Sequence, residues 1–190
     1  MAADPDEELV ARARSGSLEA FGSLVERHRD VVYRVAARIV GAQNAADVSQ
    51  DAFLRAFNRL DRFRGEGPFR AWLLQITHNA ALREAGLRRP EPVDPEQDSV
   101  GDPEPSGPDR TPAATLERRE RRERLERKIS MLSPNHRSVL VLRDVEGLSY
   151  EDIALITESP LGSVKGRLHR ARNELIELLR ANTYDWELPR

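Results

Sequence analysis

The stretch SYEDIALITESPLGSVKGRLHRARNELIELLR, residues 149–180, decides the fold class of this chain. Ser149, followed three residues later by an acid, has the pattern of a capping box and predicts the start of a short helix. The sequence SPLG at 159–162 interrupts that helix, and a longer helix is predicted from Ser163. The longer helix carries an apolar stripe at steps of four and three, formed by Val164, Leu168, Ala171, Leu175 and Leu178. This pattern is typical of a helix-turn-helix.

The face opposite the stripe is basic and carries Lys165, Arg167, His169, Arg170 and Arg172. In a helix-turn-helix, the first residues of the second helix reach base edges in the major groove, and flanking cations bind phosphates. An amphipathic helix whose cations are only solvated would have the same charge pattern. The capped first helix and the short break favour the helix-turn-helix, although this fold alone leaves repressor, activator and initiation factor open.

Helical periodicity continues outside this stretch and predicts an all-α protein with two lobes. One helix is predicted to start after Ser17 and end near Gly41, a second to start around Asn44, and a third to start at Pro68. A charged helix at 116–131 and a helix starting at residues 133–134 precede the helix-turn-helix. No segment alternates for long enough to predict a strand. The lobes are placed at 1–89 and 116–190.

The segment between the lobes, residues 90–115, is predicted to be an extended linker. It holds seven of the 12 prolines and has a net charge of −6, whereas the whole chain is at −2 and the remainder at +4. It has too few large apolar residues to offset the entropy of ordering. Extended, it could span up to roughly 80 Å, so the lobes need not touch.

Composition excludes several functional classes. The chain has no cysteine, so disulfides, thiolate metal sites and cysteine nucleophiles are excluded. No apolar run approaches the roughly 20 residues that cross a membrane, and the N-terminus is acidic, so we expect a soluble cytoplasmic protein. No phosphate-cradling glycine loop and no HExxH sequence is present, so we expect no catalytic residues, no metal and no cofactor.

Two features of the N-terminal lobe could bind a partner. Asp47 and Asp51 lie one helical turn apart, which leaves half a metal site, a solvated face and a docking face for a basic partner open. Farther along, Arg62, Phe63 and Arg64 precede a helix that carries Phe69, Trp72, Gln75 and Asn79. Aromatic rings beside cations suit unstacked single-stranded bases. We expect Phe69 to lie in the core and Phe63 to be exposed.

The two lobes together resemble the bacterial extracytoplasmic-function sigma factors. The resemblance rests on the ordered stretches EELVARARSGSLEAFGSLVERH, DVSQDAFLRAFNRLDRFRG, FRAWLLQITHNAALREAGLRR, LSPNHRSVLVLRDVEGLSYEDIA and SPLGSVKGRLHRARNEL. It implies a non-catalytic sigma factor of the sigma-70 superfamily that binds the beta and beta-prime subunits of core RNA polymerase and promoter DNA. An anti-sigma partner is compatible with it. The linker resembles the segment that runs through the polymerase cleft, where its acids would mimic RNA charge.

The resemblance also assigns roles to individual residues. It implies core-polymerase binding by Asp47, Gln50, Asp51 and Arg55. Phe63, Arg64 and Asn79, with Arg62 beside them, are implied to bind the minus-10 element as a melted strand. The implied minus-35 contacts are Arg143, Ser149, Ser163, Lys165, Gly166, Arg167, His169 and Arg170.

The chain departs from the family pattern at Glu158, where glycine is common, so the turn is expected to require a left-handed backbone there or to differ. Gly166 replaces a common serine, and Gln75 and His78 stand where basic residues are frequent. The alternative function is a stand-alone helix-turn-helix regulator that binds duplex DNA as a dimer.

Overall fold

The structure of the protein is a computed structural model that describes residues 5–86 and 112–181, and it confirms the all-α prediction for these residues. The N-terminal lobe contains α1 (Pro5–Arg14), α2 (Leu18–Val40), α3 (Ala42–Asn58), a 3-10 turn (Leu60–Arg62) and α4 (Phe69–Glu84). The C-terminal lobe contains α5 (Pro112–Met131), α6 (Pro134–Leu140), a π-helical segment (Val141–Val145), α7 (Tyr150–Thr157) and α8 (Leu161–Arg180). Residues 87–111, most of the predicted linker, lie outside the described part.

The core of the N-terminal lobe forms around α2, which packs against α1, α3 and α4. The hydroxyl of Ser17 accepts a hydrogen bond from the backbone amide of Ala20 at 3.2 Å and fixes the start of α2. Gly41, with φ of 86°, ends it as expected. Between these ends the apolar stripe is buried, and each fully covered Leu or Ile stabilises the fold by about 1.5–3 kcal/mol; the stripe consists of Ala20, Leu24, Val31, Val32, Val35, Ala36 and Ile39.

Helix α1 was not predicted from the apolar pattern, because a polar residue contributes to its attachment. Asp6 is buried and accepts hydrogen bonds from Arg27 at 2.5 Å and shares one with His28 at 2.7 Å, both on α2. Val10 and Ala13 supply the apolar contact. The carboxylate of Asp6, which lies between two basic side chains of α2, therefore helps to hold α1 against α2.

The helix-turn-helix forms as α7 and α8, with two differences in detail. Ser149 caps α7 by accepting from the backbone amide of Asp152 at 3.0 Å, and the Asp152 carboxylate accepts in turn from the Ser149 hydroxyl at 2.7 Å. Helix α8 begins at Leu161, not at Ser163 as predicted, because Pro160 already provides the preceding extended residue. Glu158, in the turn, adopts the left-handed conformation, with φ of 50° and ψ of 42°.

The two lobes pack against each other, α7 on α4 and α6 on α2. Arg137 of α6 donates to the carbonyl of Ile39 at the end of α2 at 2.8 Å, and to the carbonyls of Ile129 and Leu132 around the end of α5 at 3.1 and 2.8 Å. One guanidinium thereby satisfies carbonyls from two lobes, and burial lowers the pKa of Arg137 from its usual value. The length of the linker would allow the lobes to separate. In the described conformation they pack against each other instead, and we call this the closed conformation.

No helix in the described ranges combines the length and apolar character that crossing a membrane requires.

Candidate nucleic-acid interface

The aromatic cluster predicted to bind bases forms at the start of α4. The ring of Phe63 lies 5.2 Å from that of Trp72 and 5.8 Å from that of Phe69, measured between centroids. Phe69 is only 3% exposed and belongs to the core, as expected. Phe63 is half-buried instead of exposed, because the other two rings cover one of its sides. A recess of about 210 Å³ opens beside it, lined by Arg62, Phe63, Arg64, Glu66, Gly67, Pro68, Ala71, Trp72, Gln75 and Leu155.

A second recess adjoins the first and is rimmed by arginines. It also has a volume of about 210 Å³ and is lined by Arg55, Arg59, Arg62, Trp72, Gln75, Ile76, Asn79, Arg83 and Glu158. Glu158 reaches it from the C-terminal lobe, and one carboxylate oxygen accepts from the side-chain amides of Gln75 at 3.0 Å and Asn79 at 3.4 Å. The predicted base-binding residue Asn79 therefore already has an acidic partner within the chain.

The predicted duplex-binding residues fall into an accessible and a buried group. Lys165 is exposed, with its ammonium 5.7 Å from the ring centroid of Tyr150, and Arg143 lies 4.6 Å from the same centroid while donating to the carbonyl of Leu148 at 2.9 Å. Ser149 is engaged as the cap of α7. Tyr150, which sequence reasoning missed, thus positions two cations at one end of the helix-turn-helix.

Ser163 and Arg167 are buried, each only 3% exposed, and in the closed conformation they face the protein interior instead of solvent. Burial, followed by the positive charge of Arg170, lowers the pKa of Arg167 from its usual value. His169 and Arg170 are half-buried, and the ring of His169 lies 2.9 Å from the amide nitrogen of Asn173. The full set of predicted contacts is therefore not presented together on one free surface in this conformation.

Gly166 lies on the same helix, and an added Cβ there would meet only a side-chain nitrogen of Arg170, at 3.7 Å. Packing therefore does not require glycine at this position.

The acidic face of α3 is on the surface, as its spacing suggested. Asp47 and Gln50 are exposed, and Asp51 forms an ion pair with Arg55 one turn later at 2.6 Å. Among the described residues, no group of three or more metal-ligating side chains could hold a metal ion. The face therefore presents charges and an amide to solvent, in a form that suits a protein partner.

Two contacts between the lobes were not visible in the sequence. The carboxylate of Glu146, whose side chain is 4% exposed, accepts from Arg34 of α2 at 2.9 and 3.0 Å, and Arg70 of α4 lies 3.8 Å away. The Glu146 hydrogen bond is the main cause that raises the pKa of Arg34.

The second contact is His78 of α4, which is buried and lies 3.3 Å from the hydroxyl of Ser138. Burial, and then the charge of Arg167, lower the pKa of His78 to about 4, so the ring is neutral at pH 7. Contacts between residues so distant in sequence have no local pattern that could predict them.

Comparison with known proteins finds the same two-part organisation. Residues 24–89 match the family model described as Sigma-70 region 2, and residues 122–175 match that described as Sigma-70, region 4. The RNA polymerase sigma-H factor of Pseudomonas aeruginosa is 34% identical over 183 residues, 93% of this chain and 94% of its own. The ECF RNA polymerase sigma-E factor of Escherichia coli is 35% identical over 175 residues, 90% of this chain and 92% of its own.

Among solved structures, that of CnrH in complex with the cytosolic domain of CnrY is similar, with a TM-score of 0.69 and 31% identity. The similarity covers 94% of this chain and 99% of CnrH.

Proposed function

The chain belongs to the extracytoplasmic-function sigma factors of the sigma-70 family, which act in transcription initiation, and from this premise we propose how its two lobes divide that work. The N-terminal lobe, residues 1–89, binds core RNA polymerase and the melted minus-10 strand. The C-terminal lobe, residues 116–190, reads the minus-35 element as duplex. The observation that carries the proposal is the match of both lobes, in order, across more than nine-tenths of the chain.

Core RNA polymerase is bound by the exposed face of α3. Asp47 and Gln50 reach solvent, while the ion pair between Asp51 and Arg55 holds two further side chains in fixed positions on the same helix. A carboxylate-rich face attracts a basic partner and excludes an acidic one, which favours specific docking. The beta and beta-prime subunits are the proposed partners.

The minus-10 strand is bound at the aromatic recess and the start of α4. Phe63 and Trp72 offer ring faces for a base that has left the stack, and stacking of this kind contributes about 1–3 kcal/mol per base. Arg62 and Arg64 line the same recess, and Asn79 supplies an amide that can both donate and accept hydrogen bonds.

The minus-35 duplex is bound by the helix-turn-helix. The exposed Lys165 and the half-buried His169 and Arg170 lie along the first turns of α8, and Gly166 brings the backbone close to the groove. Arg143 in the π-helical segment and Ser149 at the N-cap of α7 contact the DNA backbone. Ser163 and Arg167 are both buried in the closed conformation, and Arg167 also lies near His78 of the N-terminal lobe, so we propose that Arg167 joins this surface after the lobes separate.

We further propose that the protein has no catalytic activity of its own and works in the cytoplasm, where its polymerase partner works. The linker, residues 90–115, follows the polymerase cleft, where its acids take the place of RNA phosphates. A regulatory protein, an anti-sigma factor, is a proposed further partner; the similar chain CnrH has been solved bound to another protein, the cytosolic domain of CnrY, which supports a protein partner of this kind.

The experiment is run-off transcription with purified core polymerase on a genomic promoter library. We expect transcripts from a defined promoter set only when both the core enzyme and this protein are present. A free protein that is a dimer and footprints a palindromic duplex without polymerase would instead support the stand-alone regulator.

Residue-level assignment of the docking face uses the double variant Asp47→Lys with Asp51→Lys, which is expected to lower affinity for core polymerase by at least about tenfold. The matched control is Glu26→Lys with Asp30→Lys, an exposed acidic pair with the same spacing on α2. Equal effects of the two double variants would remove the α3 face from the binding surface.

A further inference from the structure

Glu158 occupies a backbone conformation that its side chain disfavours. It is the one non-glycine residue with positive φ in the described ranges, at 50°, and it stands in the turn between α7 and α8. The side chain of an L-residue crowds the backbone in this region, whereas glycine adopts it without strain. The backbone of the turn disfavours glutamate at this position, so a structural reason for Glu158 must come from the contacts of its side chain.

Those contacts lie in the other lobe, in the arginine-rimmed recess beside Asn79. One carboxylate oxygen of Glu158 accepts from Gln75 and from Asn79, at 3.0 and 3.4 Å. Arg59 and Arg83 line the same recess and are exposed. We refer to the recess formed by Gln75, Asn79, Arg59, Arg62 and Arg83 as the α4 anion site.

The chemistry of the α4 anion site suits a phosphate group. Arginine has only donors, and the two amides are turned so that their nitrogens donate. The group to which the two amides donate here is a carboxylate, which presents acceptor oxygens and negative charge as a phosphodiester does. Most protein contacts to nucleic acid of this kind go to phosphate oxygens and fix the position of the strand.

We propose that the α4 anion site binds a backbone phosphate of the melted minus-10 strand and that Glu158 occupies this phosphate site while the lobes are packed. The inference rests on the proposed function, since it places the strand on α4. It adds Arg59 and Arg83 to the DNA-binding residues and makes Glu158 an internal competitor of DNA. The free protein then binds single strands poorly until the C-terminal lobe moves away.

The geometry favours a contact that can be released. Glu158 is exposed, and the hydrogen bonds that it accepts from Gln75 and Asn79 lie at the surface, where water competes with them. Leu155, one turn earlier on α7, lines the neighbouring aromatic recess, so one movement of α7 uncovers both recesses. A DNA strand brings several phosphates and a base to the same surface and therefore outcompetes a single carboxylate.

The first test measures binding of a fluorescein-labelled 12-nucleotide mixed-sequence single-stranded DNA to the full chain without polymerase, by anisotropy. Glu158→Gln retains the size of the side chain and the backbone but removes the charge, and it is expected to tighten binding about three- to tenfold. The control is Glu151→Gln, which makes the same charge change at an exposed position on α7. Equal affinities of the two variants would overturn the role of Glu158 as a competitor.

The second test measures the salt dependence of the same binding in the Glu158→Gln background. Loss of one phosphate contact reduces the slope of log affinity against log salt by about 0.7 for a single strand. Arg83→Gln and Arg59→Gln are each expected to do so, whereas Arg12→Gln, an exposed residue on α1, is expected to leave the slope unchanged. Unchanged slopes for both recess arginines would show that no phosphate binds there.

Run-off transcription with the wild-type chain distinguishes a failure of the α4 anion site from a failure of the proposed sigma function. Core-dependent transcription together with flat results in both binding tests would overturn the α4 anion site and leave the sigma function standing. Absence of core-dependent transcription would overturn the proposed function itself, whatever the binding tests give.

Discussion

The protonation of His78 reports directly on whether the two lobes are packed. His78 belongs to α4, but Ser138 of α6 and Arg167 of α8 lie against it from the other lobe. Burial and the Arg167 charge lower its pKa from 6.5 to about 4. If the lobes separate in solution, water reaches the ring and the pKa returns towards 6.5.

The sign of the effect on stability follows from proton binding. Between pH 6.5 and 4 the unfolded chain binds a proton at His78 and the folded chain does not, so stability falls as the pH falls through this window. With these two pKa values, His78 lowers the free energy of unfolding by about 0.2 kcal/mol at pH 7 and by about 2 kcal/mol at pH 5. Acidification from pH 7 to 5 should therefore destabilise the fold by about 1.8 kcal/mol through this residue alone.

The assay combines a proton titration with urea unfolding. Nuclear magnetic resonance of the imidazole carbons gives the pKa values, and the signal missing in His78→Gln identifies His78. Since His28 and His136 also contact carboxylates, the quantity to compare is the unfolding free energy of the wild type minus that of His78→Gln at each pH, which isolates the contribution of His78. A pKa of His78 within one unit of 6.5, or parallel pH profiles of the two proteins, would refute the buried, lobe-covered position.

Three further changes have defined outcomes. Glu146→Gln removes a carboxylate that accepts hydrogen bonds from Arg34 at 2.9 and 3.0 Å. Because the Arg34 side chain is half exposed, this ion pair contributes about 1–2 kcal/mol. The population of molecules with separated lobes should therefore rise about 5- to 30-fold. Energy transfer between dyes on two introduced cysteines measures this in the cysteine-free chain, and unchanged transfer would contradict it. Gly166→Ala should stabilise α8 by up to about 1 kcal/mol in calorimetry, since an added Cβ meets nothing closer than 3.7 Å; a lower unfolding temperature would reveal strain there. Ser149→Ala removes the cap of α7 and should cost about 1 kcal/mol, seen as about fivefold faster amide exchange in α7; exchange at the wild-type rate would assign the cap no stabilising role.

Helices with an apolar stripe could be predicted from the sequence, and those anchored by polar groups could not. The stripe of α8 predicted its buried face, including Val164 and Leu168, because burial follows the helical period. Helix α1 is held partly by the carboxylate of Asp6, which a hydrophobic pattern ignores. The boundary of α8 moved by two residues because Pro160 and Ser163 are both acceptable starts.

The grouping of candidate site residues in space could be predicted where they are close in sequence. The aromatic and basic side chains around Phe63 are close in sequence, so their shared recess could be expected. The approach of Glu158 to Asn79 joins residues 79 positions apart, and no periodicity encodes it. Its one sequence signal was a glutamate in a turn that glycine suits better.

Two of the contacts between the lobes place an acid of the C-terminal lobe among arginines of the N-terminal lobe. Glu146 lies beside Arg34 and Arg70, and Glu158 reaches the recess that Arg59 and Arg83 line. DNA would use the same kind of attraction, so salt weakens both the closed conformation and the DNA-bound one. Opening by salt alone therefore cannot promote promoter binding. A partner that separates the lobes without screening charge, the role that we propose for core polymerase, can release the arginines for DNA.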